Sequence, residues 1–489
     1  MIPTLRLIQL RSILSSSSTP TLRRTRNSSM STSSLPSIHQ PGTFHLPGIT
    51  STSQQKVRDM IRENHEKHHI FFKTPAGLHN HLSHYIYAAH SLGASTTHLQ
   101  RIYEHEASYQ KPMPKRHERG EGEGITRQTF AQHLGDEEWY PDYLDFFTQE
   151  IQSAGNHVKV FKEWVFGELP NGDKAMGKDV YEDFFARWFS GAYHPFIHTG
   201  YALEFDDPLI MAEGLAQAAV HSARMGPLLL PPIPHASSSS PLEIIQQVRE
   251  EKGFDAAVKY DDGNKSNALL SRTPDLVRKY AAKWSVPTNR DAVELAWRSL
   301  QQVPVALLGG SSLRPGKAVK MDFFLMHAVT SSLFLPIIVK VLDVEQGRRM
   351  LEAKWSVDLM YYISRGRPPL NLDLVESYPV PEMNGTEVVG NPWLGIVEKS
   401  LHHTDGHVMK AIRALLHADH YASHSAASSS SLTSKTPSAV PDTMYLKVAQ
   451  MVVDGLFPEK DKDWDHSGIG FDEAWEKVPN SDVVDGKGN

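Results

Sequence analysis

The stretch WFSGAYHPFIHTGYALEF, residues 188–205, constrains this chain more than any other. His194 and His198 stand four apart, with Pro195 between them. A first helical turn tolerates a residue that has no N–H to contribute. A helix opening at Pro195 puts His194 at its mouth and His198 one turn further in on nearly the same face, and Tyr201 and Phe205 continue that stripe. Two imidazoles on one apolar stripe either hydrogen-bond inside a core or converge on a metal, and the i, i+4 spacing admits both readings.

The rest of the composition narrows what such a site can use. The 489 residues include no cysteine, so disulfides, Cys-ligated zinc, iron–sulfur clusters and thiol catalysis are excluded together. Any metal must then be held by histidine, of which there are 26, by carboxylate, or by something less usual. The formal charge of −6 does not favour nucleic acid or an acidic membrane as partner. No run reaches the ~18 apolar residues of a membrane span. GEGEG at 120–124 and GIG at 468–470 do not sit between a strand and a helix, and no phosphate-binding G-x-x-x-x-G-K-[ST] occurs, so a flavin or nicotinamide domain of the doubly wound kind is not indicated.

Residues 1–53 are acid-free, with five arginines and many Ser and Thr, and Asp59 is the first acid in the chain. This is the composition of a disordered leader or a mitochondrial transit peptide, so a cytoplasmic or mitochondrial location is expected. A helical domain is predicted over residues 54–457, beginning with an exposed helix at QQKVRDMIRENHEKHH. Pro/Ser-rich loops interrupt it at 227–241 and 423–442, and a loose, acidic tail is expected from 458 to 489. FFLMHAVTSSLFLPIIVKVL reads as a buried helix kinked or broken at Pro336. Strand-like text is short and scattered. The fold class is therefore mainly α: a single large multi-helix domain with a buried His-rich site between helices.

Five helical segments carry candidate ligands: NHLSH (80–84), HPFIH (194–198), AVH (219–221), LMH (325–327) and GHVMK (406–410). His79 precedes the first of them, Glu204 and Glu213 suit supporting roles, and Asp405 is placed to cap the last. Lys410 sits among Val408, Met409, Ala411 and Ile412. Burial lowers a lysine's pKa, and a neutral amine can add CO₂ to give an anionic carbamate; the alternative is a plain ion pair with Asp405.

The motifs GLHNHLSHYIYAAHSLGAS, GAYHPFIHTGYALEF, AAVH, FFLMHAVTSSLFL and DGHVMKAIRAL, in that order between about residues 60 and 455, resemble those of the questin oxidase-like family. The resemblance implies an oxygenase of polyketide pathways that cleaves or inserts oxygen into anthraquinone-type rings in Baeyer–Villiger-like reactions. It implies O₂ and a small aromatic substrate as partners, NADPH as a reductant, and non-haem Fe(II) held by several histidines and a carboxylated lysine. Carried onto this chain, it makes His81, His194, His198, His327 and Lys410 the metal ligands, and His84, His221 and His407 the acid–base residues. Phe185, Trp188, Phe196 and Phe324 are the candidate walls for a flat ring. Two other readings compete. One is a helical metal-dependent hydrolase centred on Asp419 and His420; the other is a non-catalytic binding protein that keeps the fold.

Overall fold

Helices in the computed structural model start where the sequence offers an acceptor to the free N–H groups of a first turn. The structure describes residues 42–74, 77–117, 124–167, 177–233, 239–380, 390–428, 443–457 and 463–481. Asp207 caps Pro208–Val220, Asp322 caps Phe323–Ser332 and Asp343 caps Val344–Ser364, each through its carboxylate. Leu82–Ser91 ends before Gly93, which takes φ +84, a left-handed conformation open to glycine at little cost. Among the described residues the one sheet pairs Phe71–Lys73 with Leu78–His79, antiparallel, with Phe71 opposite His79.

The helices bearing the candidate histidines pack on one another. Ser190–Phe205 lies against Pro208–Val220 and Phe323–Ser332, and Gly406–Ser428 lies against Phe323–Ser332 and Leu82–Ser91. Where these helices meet, His84, His194, His198, His327 and His407 are buried. The apolar stretch around Pro336 is two helices, Phe323–Ser332 and Leu335–Val341, bent by 43°. The break falls at Leu333–Phe334 because Pro336 serves in the first turn of the second helix rather than interrupting the first. No single helix among the described residues is long and apolar enough to cross a membrane.

Three expectations change at the edges. The helix read from Gln54 opens at Ser51, where Thr50 and Ser53 form a reciprocal cap, and it buries Val57, Met60 and Ile61 rather than standing exposed. Thr43, expected in the leader, donates to Glu204 through both its N–H and its hydroxyl at 3.3 Å. Residues 1–41 of that leader lie outside the described residues, as do 234–238 and 429–442 of the two loops and 458–462 and 482–489 of the tail.

The remainder of the expected loose tail, residues 463–481, packs onto the core. The Asp465 N–H donates to Met321 O at 2.7 Å and the Phe323 N–H to Asp465 O at 3.0 Å. Trp464 and Trp475 are buried. At ~25 cal/mol per Å² and 150–250 Å² per ring, each tryptophan contributes on the order of 4–6 kcal/mol before entropy, which outweighs the polar text around it.

A fully buried ion pair ties this scaffold to the 188–205 stretch. Lys354 Nζ donates to both oxygens of Asp358 at 2.6 Å, and Tyr193 Oη donates to the same carboxylate at 2.5 Å. Asp358→Asn leaves the lysine's charge buried without its counter-ion. A loss of about 3–5 kcal/mol of unfolding free energy is expected, read as a lower urea midpoint at unchanged slope.

A candidate metal centre

His194 owes its position to a left-handed turn. Gly191, Ala192 and Tyr193 have φ of 58°, 52° and 65°. For the two residues with a Cβ this costs roughly 1–2 kcal/mol each, so the surroundings must hold them there. The Ala192 N–H donates to Tyr361 Oη at 3.1 Å, and Tyr193 is held by Asp358. The regular helix begins at His194, with Pro195 in its first turn as expected. His194 Nδ1 turns back to donate to Gly191 O.

The other histidines arrive from three further helices. His81 is the residue that precedes the first turn of Leu82–Ser91, and Asn80 rather than His81 accepts the Leu82 N–H, at 2.9 Å. His327 lies inside Phe323–Ser332 and donates from Nδ1 to Phe323 O, one turn back, at 2.8 Å. His407 opens Gly406–Ser428. Its N–H and its Nδ1 both meet Asp405 Oδ1, at 2.9 and 2.7 Å.

These partners assign the tautomers. A backbone carbonyl or a carboxylate only accepts, so Nδ1 carries the proton in His194, His327 and His407, and each Nε2 presents a lone pair. One ring nitrogen from each of His81, His194, His327 and His407 falls in a group whose members all lie within 4.8 Å of one another. His81 Nε2 donates to the His194 Nε2 lone pair at 2.7 Å, while His327 Nε2 and His407 Nε2 are buried without a hydrogen-bond partner among the described residues. Lone pairs from separate helices converging on one buried point are what a divalent cation takes, and leaving buried acceptors unmet is otherwise unfavourable. Burial pushes the pKa of all four imidazoles down, and neighbouring cationic groups push the same way; at His407 the Asp405 charge opposes this without reversing it. They are therefore neutral, the form that binds metal.

Lys410 is buried beside this cluster. Its Nζ has no hydrogen-bond partner among the described residues and lies 5.4 Å from the centre of the Tyr85 ring. Burial brings its pKa down to about 7, against the pull of Asp405 and Glu106.

The remaining site residues separate into those that join the cluster and those that turn from it. His198 donates from Nε2 to Glu213 at 2.8 Å, and its Nδ1 faces His84 Nε2 at 3.0 Å. Residues four apart on a helix share a face but differ by about 6 Å in height, so His198 passes below the point that His194 reaches. His221 meets His79 Nε2 at 3.1 Å, and His79 stacks on His194 with ring centres 3.7 Å apart. His407 stands among the convergent nitrogens, not only as a neighbouring acid or base. Asp419 accepts from Trp393 Nε1 at 3.0 Å and His420 lies against Phe44, so the pair expected for a hydrolase is occupied elsewhere.

A cavity of about 530 Å³ opens onto the cluster, lined among others by His81, His194, His407, Phe323, Phe324 and Tyr361. Phe324 and Tyr361 lie nearly parallel, 22° apart with centres at 5.6 Å. Of the expected walls, only Phe324 lines this cavity. Trp188 and Phe196 are sealed in the core, where the Trp188 indole N–H is taken by Thr199, and Phe185 lines a separate groove. Sequence reasoning passed over His466, which lines the cavity and lies 4.2 Å from the Phe323 ring centre, because it sits in polar text with no helical period. It also undervalued His79, whose signal was the run of three histidines in HNHLSH.

Gly191 is a sharp test of the turn. A Cβ there would stand 2.1 Å from His221 Nε2, on a backbone that already has φ +58. Gly191→Ala is expected to displace both His221 and His194 and to destabilise the fold by more than the ~1–2 kcal/mol of the backbone term alone, measurable as a thermal midpoint lowered by several degrees.

Comparison with known proteins gives one consistent result. Residues 78–415 match the family model described as questin oxidase-like. A questin oxidase of Aspergillus fumigatus is 32% identical over 447 residues, covering 86% of this chain and 92% of that one. A Baeyer–Villiger oxidase of Pestalotiopsis fici is 30% identical, with 87% and 94% covered. A Baeyer–Villiger monooxygenase of Cryptosporiopsis is also 30% identical, with 89% and 96% covered.

Proposed function

Because this chain belongs to the questin oxidase-like family, we propose that it is an oxidoreductase that uses O₂ to insert oxygen into, or open, a ring of an anthraquinone-like polyketide aromatic at a non-haem iron centre. The observation that carries the iron part of this reading is the convergence of His81, His194, His327 and His407 on one buried point. Iron, when bound, supplies electrons to dioxygen and polarises substrate oxygens. Lys410, carboxylated by CO₂, adds an anionic ligand that an all-imidazole set lacks; the burial-lowered pKa of its amine, which meets no hydrogen-bond partner among the described residues, supports this. NADPH serves as the reductant that closes the electron balance of a monooxygenation.

The protein's own contributions follow from the geometry. Asp405, Phe323 O and Gly191 O fix the tautomers and ring planes of His407, His327 and His194, so that Nε2 is presented in each. The Phe324 and Tyr361 rings hold a planar substrate by stacking. His84 and His221, each with a buried Nδ1 that meets no hydrogen-bond partner among the described residues, handle the proton of a phenolic hydroxyl.

The test is iron analysis of the purified protein, then oxygen uptake and NADPH consumption with a hydroxylated anthraquinone before and after chelation. Stoichiometric iron, with oxygen uptake lost on chelation and regained with Fe(II), is expected. Full activity in metal-free protein would overturn the iron centre.

A further inference from the structure

We infer that His84, His198, Glu213 and His65 form a proton relay, which takes the proton of a substrate hydroxyl away from the imidazole cluster and returns one to it. This rests on the reading of the cluster given above. The four groups make an unbroken row. His84 Nε2 meets His198 Nδ1 at 3.0 Å, His198 Nε2 meets Glu213 Oε2 at 2.8 Å, and Glu213 Oε1 meets His65 Nδ1 at 2.8 Å. The inner three are fully sealed, whereas 16% of the His65 side chain reaches solvent at the outer end.

The direction of every bond is assigned by the carboxylate. Burial would raise the pKa of Glu213, but the two imidazole donors outweigh it and hold the carboxyl down to about 2. As a pure acceptor it takes hydrogen bonds from His198 Nε2 and from His65 Nδ1, and its charge raises the pKa of His65, which carries the one extra proton of the row while His198 stays neutral. His198 Nδ1 is then a lone pair, so His84 must donate from Nε2. That leaves His84 Nδ1 as a base, and this atom is buried without a hydrogen-bond partner among the described residues. The His84 ring centre lies 6.1 Å from that of His81 and 6.2 Å from that of His194, which sets this base beside the imidazole cluster.

The packing is built to allow the row. Gly214 carries no side chain where the Pro208–Val220 helix crosses Ser190–Phe205. A Cβ there would stand 2.7 Å from Thr199 Cγ2 and 3.0 Å from Thr199 N. Glu213, its neighbour, can therefore reach His198. A buried ion-paired row of this kind gives little net stability compared with apolar packing, which favours a role beyond structure.

The proton count closes. A substrate O–H bond breaks and its proton binds His84 Nδ1. The His84 Nε2 proton passes to His198 Nδ1, and the His198 Nε2 proton passes to Glu213 Oε2. The substrate gains one negative charge and Glu213 loses one. His65, left beside a neutral carboxyl, exchanges its extra proton with water. The row is now reversed, and the same three transfers run backward return a proton to the oxygen that is reduced at the site.

Two measurements test this. The first is nitrogen NMR of the imidazoles in metal-free protein: protonated Nε2 and bare Nδ1 are expected for both His84 and His198, and a proton on His198 Nδ1 at rest would overturn the assignment. The second is His65→Ala. Its kcat is expected to fall by roughly 10²-fold, with unchanged KM and iron content, a larger solvent isotope effect, and partial rescue by added imidazole. Wild-type turnover, or a loss that imidazole does not restore, would overturn the relay. Protein that binds no iron yet shows the expected tautomers would instead count against the reading of the cluster, leaving the row in place.

Discussion

His327→Ala protein is expected to fold, to bind little or no iron, and to lose oxygen uptake by more than the ~10–100-fold that follows removal of an outer hydrogen-bond partner. His327 is fully buried, its only hydrogen-bond partner among the described residues is Phe323 O, and its Nε2 lies where nitrogens from three other segments meet. Deleting it takes away a metal-binding lone pair and leaves a small cavity, a change of a few kcal/mol that a chain with this large a core can absorb. His198→Ala is the informative contrast. That side chain is engaged by Glu213 and His84, so iron should stay near the wild-type level while turnover falls. Atomic absorption on the two variants side by side decides the matter: equal iron loss in both would mean that the convergent set has been wrongly drawn.

Lys410→Met is expected to separate stability from activity, moving them in opposite directions. In metal-free protein without CO₂, burial depresses the Lys410 pKa from 10.5 to about 7, and Asp405 and Glu106 only partly offset this. Between pH 7 and 10.5 the unfolded chain therefore holds a proton that the folded chain does not, so stability rises with pH across that window. Below pH 7 the folded state carries the full cost of the buried ammonium, about 5 kcal/mol as an order of magnitude from 1.36 kcal/mol per pH unit. The Met variant, free of this cost, should unfold at higher urea than wild type at pH 6, with the gap closing toward pH 10. Its turnover should nevertheless collapse, because no carbamate can form. Wild-type protein reconstituted with isotopically labelled bicarbonate should show a carbamate carbon signal that strengthens as pH rises through 7 and is missing in the variant. Full activity in Lys410→Met would remove the lysine from the site.

The family and the helical architecture were legible because both rest on short-range order. Caps such as Asp207 and Asp322, the glycine stop at Gly93 and the i, i+4 stripes depend on neighbours within one or two turns. The packed segment 463–481 was misread for the converse reason. Asp465 and Gly470 find their partners at Met321, Phe323 and Arg365, far back in the chain, and no local period announces such contacts.

What the amino-acid order determined alone is that the chain is mainly α, that a metal here cannot rest on cysteine thiolate, and that several buried helices each present imidazoles on their inner faces. What only the tertiary structure decided is which imidazole of each pair reaches the shared point. His81, His194 and His407 do so, while their companions His84 and His198 turn to one another and to Glu213. Spacing along a helix specifies the face a side chain occupies, but its distance from a common centre depends on where other helices cross and how closely glycines such as Gly191 and Gly214 let them approach. Those crossings join residues more than a hundred positions apart, so they are settled by packing of the whole core and not by any one stretch of sequence.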